Sequence, residues 1–181
     1  MSRRRSEVLT LLAFAVCFFS AGLATYPMLS EAINCSGSQA CNGTPGNDSM
    51  DGDSAANKIY AAAGDDTVHG VGNDDTVDGQ GGNDALFGGP DDDDVFGGQG
   101  ADDIAGGENR DRVYGENDRD DLEGDESDDY LTGDQGEDDI YGNNGDDTLR
   151  GDGDSGDADL LNGGAGTNRC LAGSNDVQVN C

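Results

Sequence analysis

Gly43 to Arg150 reads GTPGNDSMD GDSAANKIY AAAGDDTVH GVGNDDTVD GQGGNDALF GGPDDDDVF GGQGADDIA GGENRDRVY GENDRDDLE GDESDDYLT GDQGEDDIY GNNGDDTLR. These are twelve consecutive units of nine residues with no insertion or deletion. A fixed short period marks a repeat architecture, in which each unit buries its apolar side only by stacking on its neighbours. Position 1 is glycine in every unit except the one opening at Ala61. Position 6 is Asp48, Asp66, Asp75, Asp84, Asp93, Asp102, Asp111, Asp120, Asp129, Asp138 and Asp147, with Asn57 standing in the second unit. Position 8 is apolar throughout, from Met50 and Ile59 to Ile140 and Leu149. Each unit thus offers a turn-forming half, a carboxylate and a very short strand with one inward side chain.

A three-residue strand followed by a six-residue turn reverses the chain, so two units complete one coil of 18 residues. Equivalent loops on one edge then stack about 4.8 Å apart, the spacing of hydrogen-bonded strands. Calcium–oxygen distances are about 2.3–2.6 Å, so an ion midway between two such loops reaches oxygens of both, for example the loops of Asp84 and Asp102. Carboxylates and backbone carbonyls are the hard ligands this ion prefers. Position 4 adds an asymmetry. Gly46, Gly64, Gly82 and Gly100 alternate with Ala55, Asn73, Asp91 and Asn109, until Asp118, Ser127, Gly136 and Gly145 break the pattern. Alternate units fall on opposite edges, and the glycine edge is expected to hold calcium more tightly.

The pattern Gly-Gly-x-Gly-x-Asp-x-(apolar)-x resembles the nonapeptide repeats of RTX (repeats-in-toxin) proteins, over Gly43 to about Leu171. The resemblance implies an all-β fold, a parallel β-roll or right-handed β-solenoid of about 13–14 repeats, two per turn, that binds Ca²⁺. The side-chain ligands expected on this reading are the eleven position-6 aspartates and Asp159, with loop carbonyls completing each site. The best-known RTX toxins resemble a different export plan, with an uncleaved C-terminal signal, so a toxin role does not follow.

Composition agrees with a metal-dependent fold. With 181 residues, 33% hydrophobic, 31 glycines and no tryptophan, the chain has no means to build an ordinary core. A formal charge of −30 and a pI near 4.1 exclude nucleic-acid binding through a basic patch and argue against anionic membrane surfaces. Such acidity belongs either to a disordered tail or to a cation-binding surface, and the fixed phase of Asp and apolar residues selects the second. Few apolar side chains, much glycine and crowded carboxylates predict a chain unfolded without calcium and folded with it.

The two ends read differently. Residues 1–24 carry Arg3, Arg4 and Arg5, an apolar run from Val8 to Leu23 and the small-x-small signal Gly22-Leu23-Ala24, a signal peptide that predicts an extracellular protein with no membrane attachment after cleavage. An uncleaved anchor is the alternative. Residues 25–42 read as a linker, 43–171 as the roll and 172–181 as a C-terminal cap. Gly151 to Asn162 is a twelve-residue unit before Asp159 and Leu161 regain the phase. Four cysteines remain after cleavage, and the local pairs Cys35–Cys41 and Cys170–Cys181 are favoured because each brackets one end of the array.

No catalytic constellation stands out. Gly153-Asp154-Ser155-Gly156-Asp157 resembles a serine-protease nucleophile segment, but it lies in the insertion, and its histidine would have to be His69, an ordinary position 9. HExxH, GxSxG, EF-hand and zinc-type CxxC patterns are absent from the sequence. The aromatic residues Tyr60, Phe87, Phe96, Tyr114 and Tyr141 all sit at position 9 and face outward. Cross-strand packing is the simpler reading, and a cell-surface or polysaccharide partner the sharper one, which would make the protein an adhesin or a matrix component. Position 7 lacks the regular threonine row of an ice-binding solenoid.

Overall fold

A computed structural model describes residues 32–37, 40–151 and 157–181. The expected signal peptide, the first part of the linker and residues 153–156 of the protease-like segment lie outside the described residues. The odd-numbered strands form one sheet: β1 Ala32–Asn34, β3 Ser49–Asp51, β5 Thr67–His69, β7 Ala85–Pro90, β9 Asp103–Glu108, β11 Asp121–Glu126, β13 Asp139–Tyr141, β15 Leu160–Asn162 and β17 Val177–Val179. The even-numbered strands form the other: β2 Ala40–Asn42, β4 Lys58–Tyr60, β6 Thr76–Gly81, β8 Asp94–Gln99, β10 Arg112–Asn117, β12 Tyr130–Gln135, β14 Thr148–Arg150 and β16 Arg169–Leu171. Every pairing is parallel and joins strands two apart in sequence, so the chain winds as a right-handed β-solenoid with one strand per sheet in each coil.

The register comes from position 8. Val77 pairs with Val95, Val95 with Val113, Val113 with Leu131 and Leu131 with Leu149, while Met50, Val68, Leu86, Ile104, Leu122 and Ile140 file along the other sheet. All are fully buried and form the core between the two sheets. A slip of one residue would turn the file outward, so the period of nine fixes the register.

Three features depart from the sequence reading. Strands β6 to β12 have six residues rather than three, because positions 1 to 3 of each following unit stay in the ladder and confine the turn to positions 4 to 6. Residues 32–34 and 40–42, read as linker, form β1 and β2, since Ile33 and Cys41 take the inward register opposite Met50 and Ile59 and pack on the core. Residues 177–179, read as cap, add β17 beside β15, with Gln178 in the apolar position opposite Leu161. Disulfides join Cys35 to Cys41 and Cys170 to Cys181.

Candidate metal centre

The coil stacks its position-6 residues in two columns, one along each edge. Asp48, Asp66, Asp84, Asp102, Asp120, Asp138, Asp159 and Asp176 lead into the odd-numbered sheet, and Asn57, Asp75, Asp93, Asp111, Asp129, Asp147 and Asn168 into the even-numbered one. Within each column one carboxylate oxygen, Oδ1, accepts the backbone N–H of the position-6 residue one coil earlier. Asp84 N–H donates to Asp102 Oδ1 at 2.8 Å, Asp102 N–H to Asp120 Oδ1 at 2.8 Å, and Asp93 N–H to Asp111 Oδ1 at 2.8 Å. The ladder spans the insertion, where Asp138 N–H donates to Asp159 Oδ1 at 3.0 Å. The aspartates therefore splice successive coils together, a role that the spacing alone did not disclose. Asp176 belongs to the same ladder at 3.3 Å but escaped the sequence reading, because its unit is one residue short.

The second oxygen is the unusual one. In ten residues, Asp66, Asp75, Asp84, Asp93, Asp102, Asp111, Asp120, Asp129, Asp138 and Asp147, Oδ2 is buried and has no hydrogen-bond donor. Buried polar atoms are almost always paired, so ten equivalent orphans in register need a common cause. Their cause is local. In the first unit Asp48 Oδ2 accepts the N–H of Thr44 (position 2) at 2.6 Å and its hydroxyl at 2.9 Å. From Ala62 to Asn143 position 2 lies in the left-handed region, at Val71, Gln80, Glu116, Asp125 and Asp134 among others, and its N–H turns away; that of Val71 donates to Gly88 O instead. Position-1 glycine completes the cradle. A Cβ at Gly88 would come within 2.6 Å of both Asp93 Oδ2 and Gly106 O.

Burial disfavours the charged form of these carboxylates. Desolvation pushes Asp93, Asp120 and Asp129 up to about 8, Asp84, Asp111 and Asp138 to about 7, and Asp75 and Asp102 to about 6. Asp66, Asp147 and Asp159 are raised for the same reason. The N–H bond from the coil before opposes the shift in each, and nearby carboxylates add to it. Three arginines of the roll point elsewhere. Arg110, Arg112 and Arg119 reach the outward Asp92, Asp94 and Asp139 at 3.0, 3.1 and 2.7 Å.

The residues fit calcium through their oxygens, not through a knot of side chains. Among the described residues no three His, Cys, Asp or Glu side chains converge on one point. An ion here would take carboxylate oxygens from the columns and the rest from loop carbonyls, a donor set that suits Ca²⁺ and disfavours zinc. Four position-9 rings are packed in pairs. Phe96 and Tyr114 stack at 4.8 Å with planes 6° apart, and His69 lies on Phe87 at 5.0 Å while bonding Asp51 at 3.1 Å. These contacts are the cross-strand packing that one coil makes on the next.

Among curated proteins no sequence matches the chain. The RTX calcium-binding nonapeptide repeat family matches it in five overlapping segments, residues 42–77, 69–104, 96–131, 123–156 and 154–177.

Proposed function

The chain belongs to the RTX calcium-binding nonapeptide repeat family, and on that premise we propose that it is an exported, non-catalytic module whose roll forms when Ca²⁺ fills the two aspartate columns. The carrying observation is the set of ten buried Oδ2 atoms without a donor. The side-chain ligands are Asp66, Asp75, Asp84, Asp93, Asp102, Asp111, Asp120, Asp129, Asp138 and Asp147, with Asp159 continuing the first column. Asp48, expected as a ligand on its spacing, has its carboxylate engaged by Thr44 and is left out.

Each residue's part follows from its position. Oδ1 holds the neighbouring coil through its N–H, which fixes the carboxylate's direction. Oδ2 is thereby aimed into the turn, where position-1 glycine leaves it room and water is excluded. Bound calcium supplies positive charge to carboxylates that burial otherwise disfavours. A ligand specific to the folded state stabilises that state by mass action, so the ion concentration sets whether the roll exists.

Far-UV circular dichroism of residues 25–181, titrated with Ca²⁺, Mg²⁺ and then chelator, tests the reading. The expected result is a reversible gain of β-structure specific to Ca²⁺. A spectrum indifferent to calcium and chelator would overturn it.

A further inference from the structure

Both ends of the columns share three features that the middle lacks. An asparagine replaces one aspartate at each end, Asn57 at the first and Asn168 at the last. The terminal carboxylate is closed by its own loop. Asp48 is bonded by Thr44, and Asp176 Oδ2 accepts the N–H of Gly173. A disulfide ties the last strand of one sheet to that of the other, through Cys35 and Cys41 beside β1 and β2, and through Cys170 and Cys181 beside β16 and β17.

The asparagines leave no stranded oxygen either, Asn57 through its own loop and Asn168 through the ladder and the terminal segment. Asn57 Oδ1 accepts the N–H of Asp53 at 2.8 Å, and its Nδ2 donates to Gly37 O at 2.9 Å. Asn168 Oδ1 accepts the N–H of Asp147 at 2.9 Å, and its Nδ2 donates to Asn180 O at 3.2 Å. An amide brings no charge to be neutralised, and its nitrogen repels a cation as a ligand. Among the described residues no positive φ occurs between Gly37 and Ala62, so the first loops never turn the position-2 N–H away from the side chain. At that end the donors that a calcium ion would have to displace are already in place.

We infer that the two ends of the roll are metal-free caps. The loops of Asp48 and Asn57 at one end, and of Asn168 and Asp176 at the other, take no ion, and calcium is confined to the loops between them. This rests on the calcium reading above. It gives the solenoid ends that its outermost coils need, since an array of identical units would expose a half-built site at each terminus. The caps are closed by hydrogen bonds and disulfides instead of by the ion that orders the middle.

Counting bound ions by native mass spectrometry on the disulfide-intact chain decides it. Asp48→Asn, Asp176→Asn, Asp102→Asn and Asp111→Asn all keep Oδ1 as an acceptor, so the ladder between coils survives in each. The first two should carry the same number of Ca²⁺ as the parent at saturation. Asp102→Asn and Asp111→Asn should each lose at least one ion and need several-fold more calcium to reach half of the parent's change in circular dichroism. Loss of an ion from Asp48→Asn or Asp176→Asn would overturn the inference, and those two arms decide it even if the central variants fold poorly. A parent that binds no calcium would instead defeat the functional reading itself.

Discussion

The two edges of the roll carry the same aspartate ladder on differently bent loops. On the first edge, position 4 is Gly64, Gly82, Gly100 and Gly136, with φ of 119°, 128°, 114° and 148°. On the second, Asn73, Asp91, Asn109 and Ser127 hold 66°, 81°, 76° and 90°. The exceptions follow the residue and not the edge, since Asp118 on the glycine edge sits at 73° and Gly145 on the other at 152°. Glycine therefore does more than tolerate the turn. It opens a conformation that asparagine and aspartate approach only as far as the left-handed helical region. One period thus yields two loop types, and a carbonyl in one does not point where its counterpart points in the other.

The largest effect expected is one that both edges share. A carboxyl whose folded pKa is raised stabilises the fold fully below its unfolded value near 4 and loses that contribution as pH rises through the folded value. The first edge has Asp102 at about 6, Asp84 and Asp138 at about 7 and Asp120 at about 8; the second has Asp75 at about 6, Asp111 at about 7, and Asp93 and Asp129 at about 8. In chelator, β-structure should therefore grow as pH falls from 8 to 5 and vanish on return. With calcium present, the half-saturating concentration should rise over the same descent, because protons and the ion compete. Circular dichroism at equal unfolding in chelator at both pH values would break this account for both columns at once.

A smaller effect separates the edges. An alanine Cβ at Gly100 would meet the carbonyl oxygen of Gly82 in the coil below, at a φ that side chains rarely adopt. Gly100→Ala should cost about 3 kcal/mol in calcium-saturated unfolding. Asn109→Ala, on the other edge, should cost only about 1 kcal/mol, the penalty for alanine in the left-handed region. Equal losses would mean that the two loop types are interchangeable. The smallest effect tests strain alone. Val71 is a β-branched residue at φ 90° with 45% of its surface exposed. Val71→Gly should raise stability by about 1 kcal/mol, read from the urea midpoint, despite the entropy that glycine adds to the unfolded chain.

How much of this was legible follows from what each position has to do. The file Met50, Val68, Leu86, Ile104 is readable because a period of nine with one apolar residue admits only one inward register. The favoured pairs Cys35–Cys41 and Cys170–Cys181 are those the structure contains. The carboxylate cradle was half legible. Asp93 and Asp120 announce a carboxylate column, yet no spacing reveals that one oxygen splices coils while the other is stranded. That division depends on position 2, where Gln80 and Glu116 adopt a left-handed backbone that their identities do not advertise. Asp176 and β17 were hidden by a one-residue deletion and by Gln178 in an apolar place, and β1 by lying beyond the first glycine.

Each coil consumes 18 residues, as the donor–acceptor steps from Asp48 to Asp66 and onward to Asp138 record. Five such steps advance the roll by about 24 Å at the usual strand spacing. The same segment drawn straight would span about 300 Å. Neither disulfide limits that travel, because they close sequence separations of 6 and 11 and leave the whole middle unbridged. Unwinding of the middle would therefore act on length before it acted on either disulfide. With both cystines intact, a chain that wound from the straight form would shorten more than tenfold, and a tether at either end would feel that winding as tension.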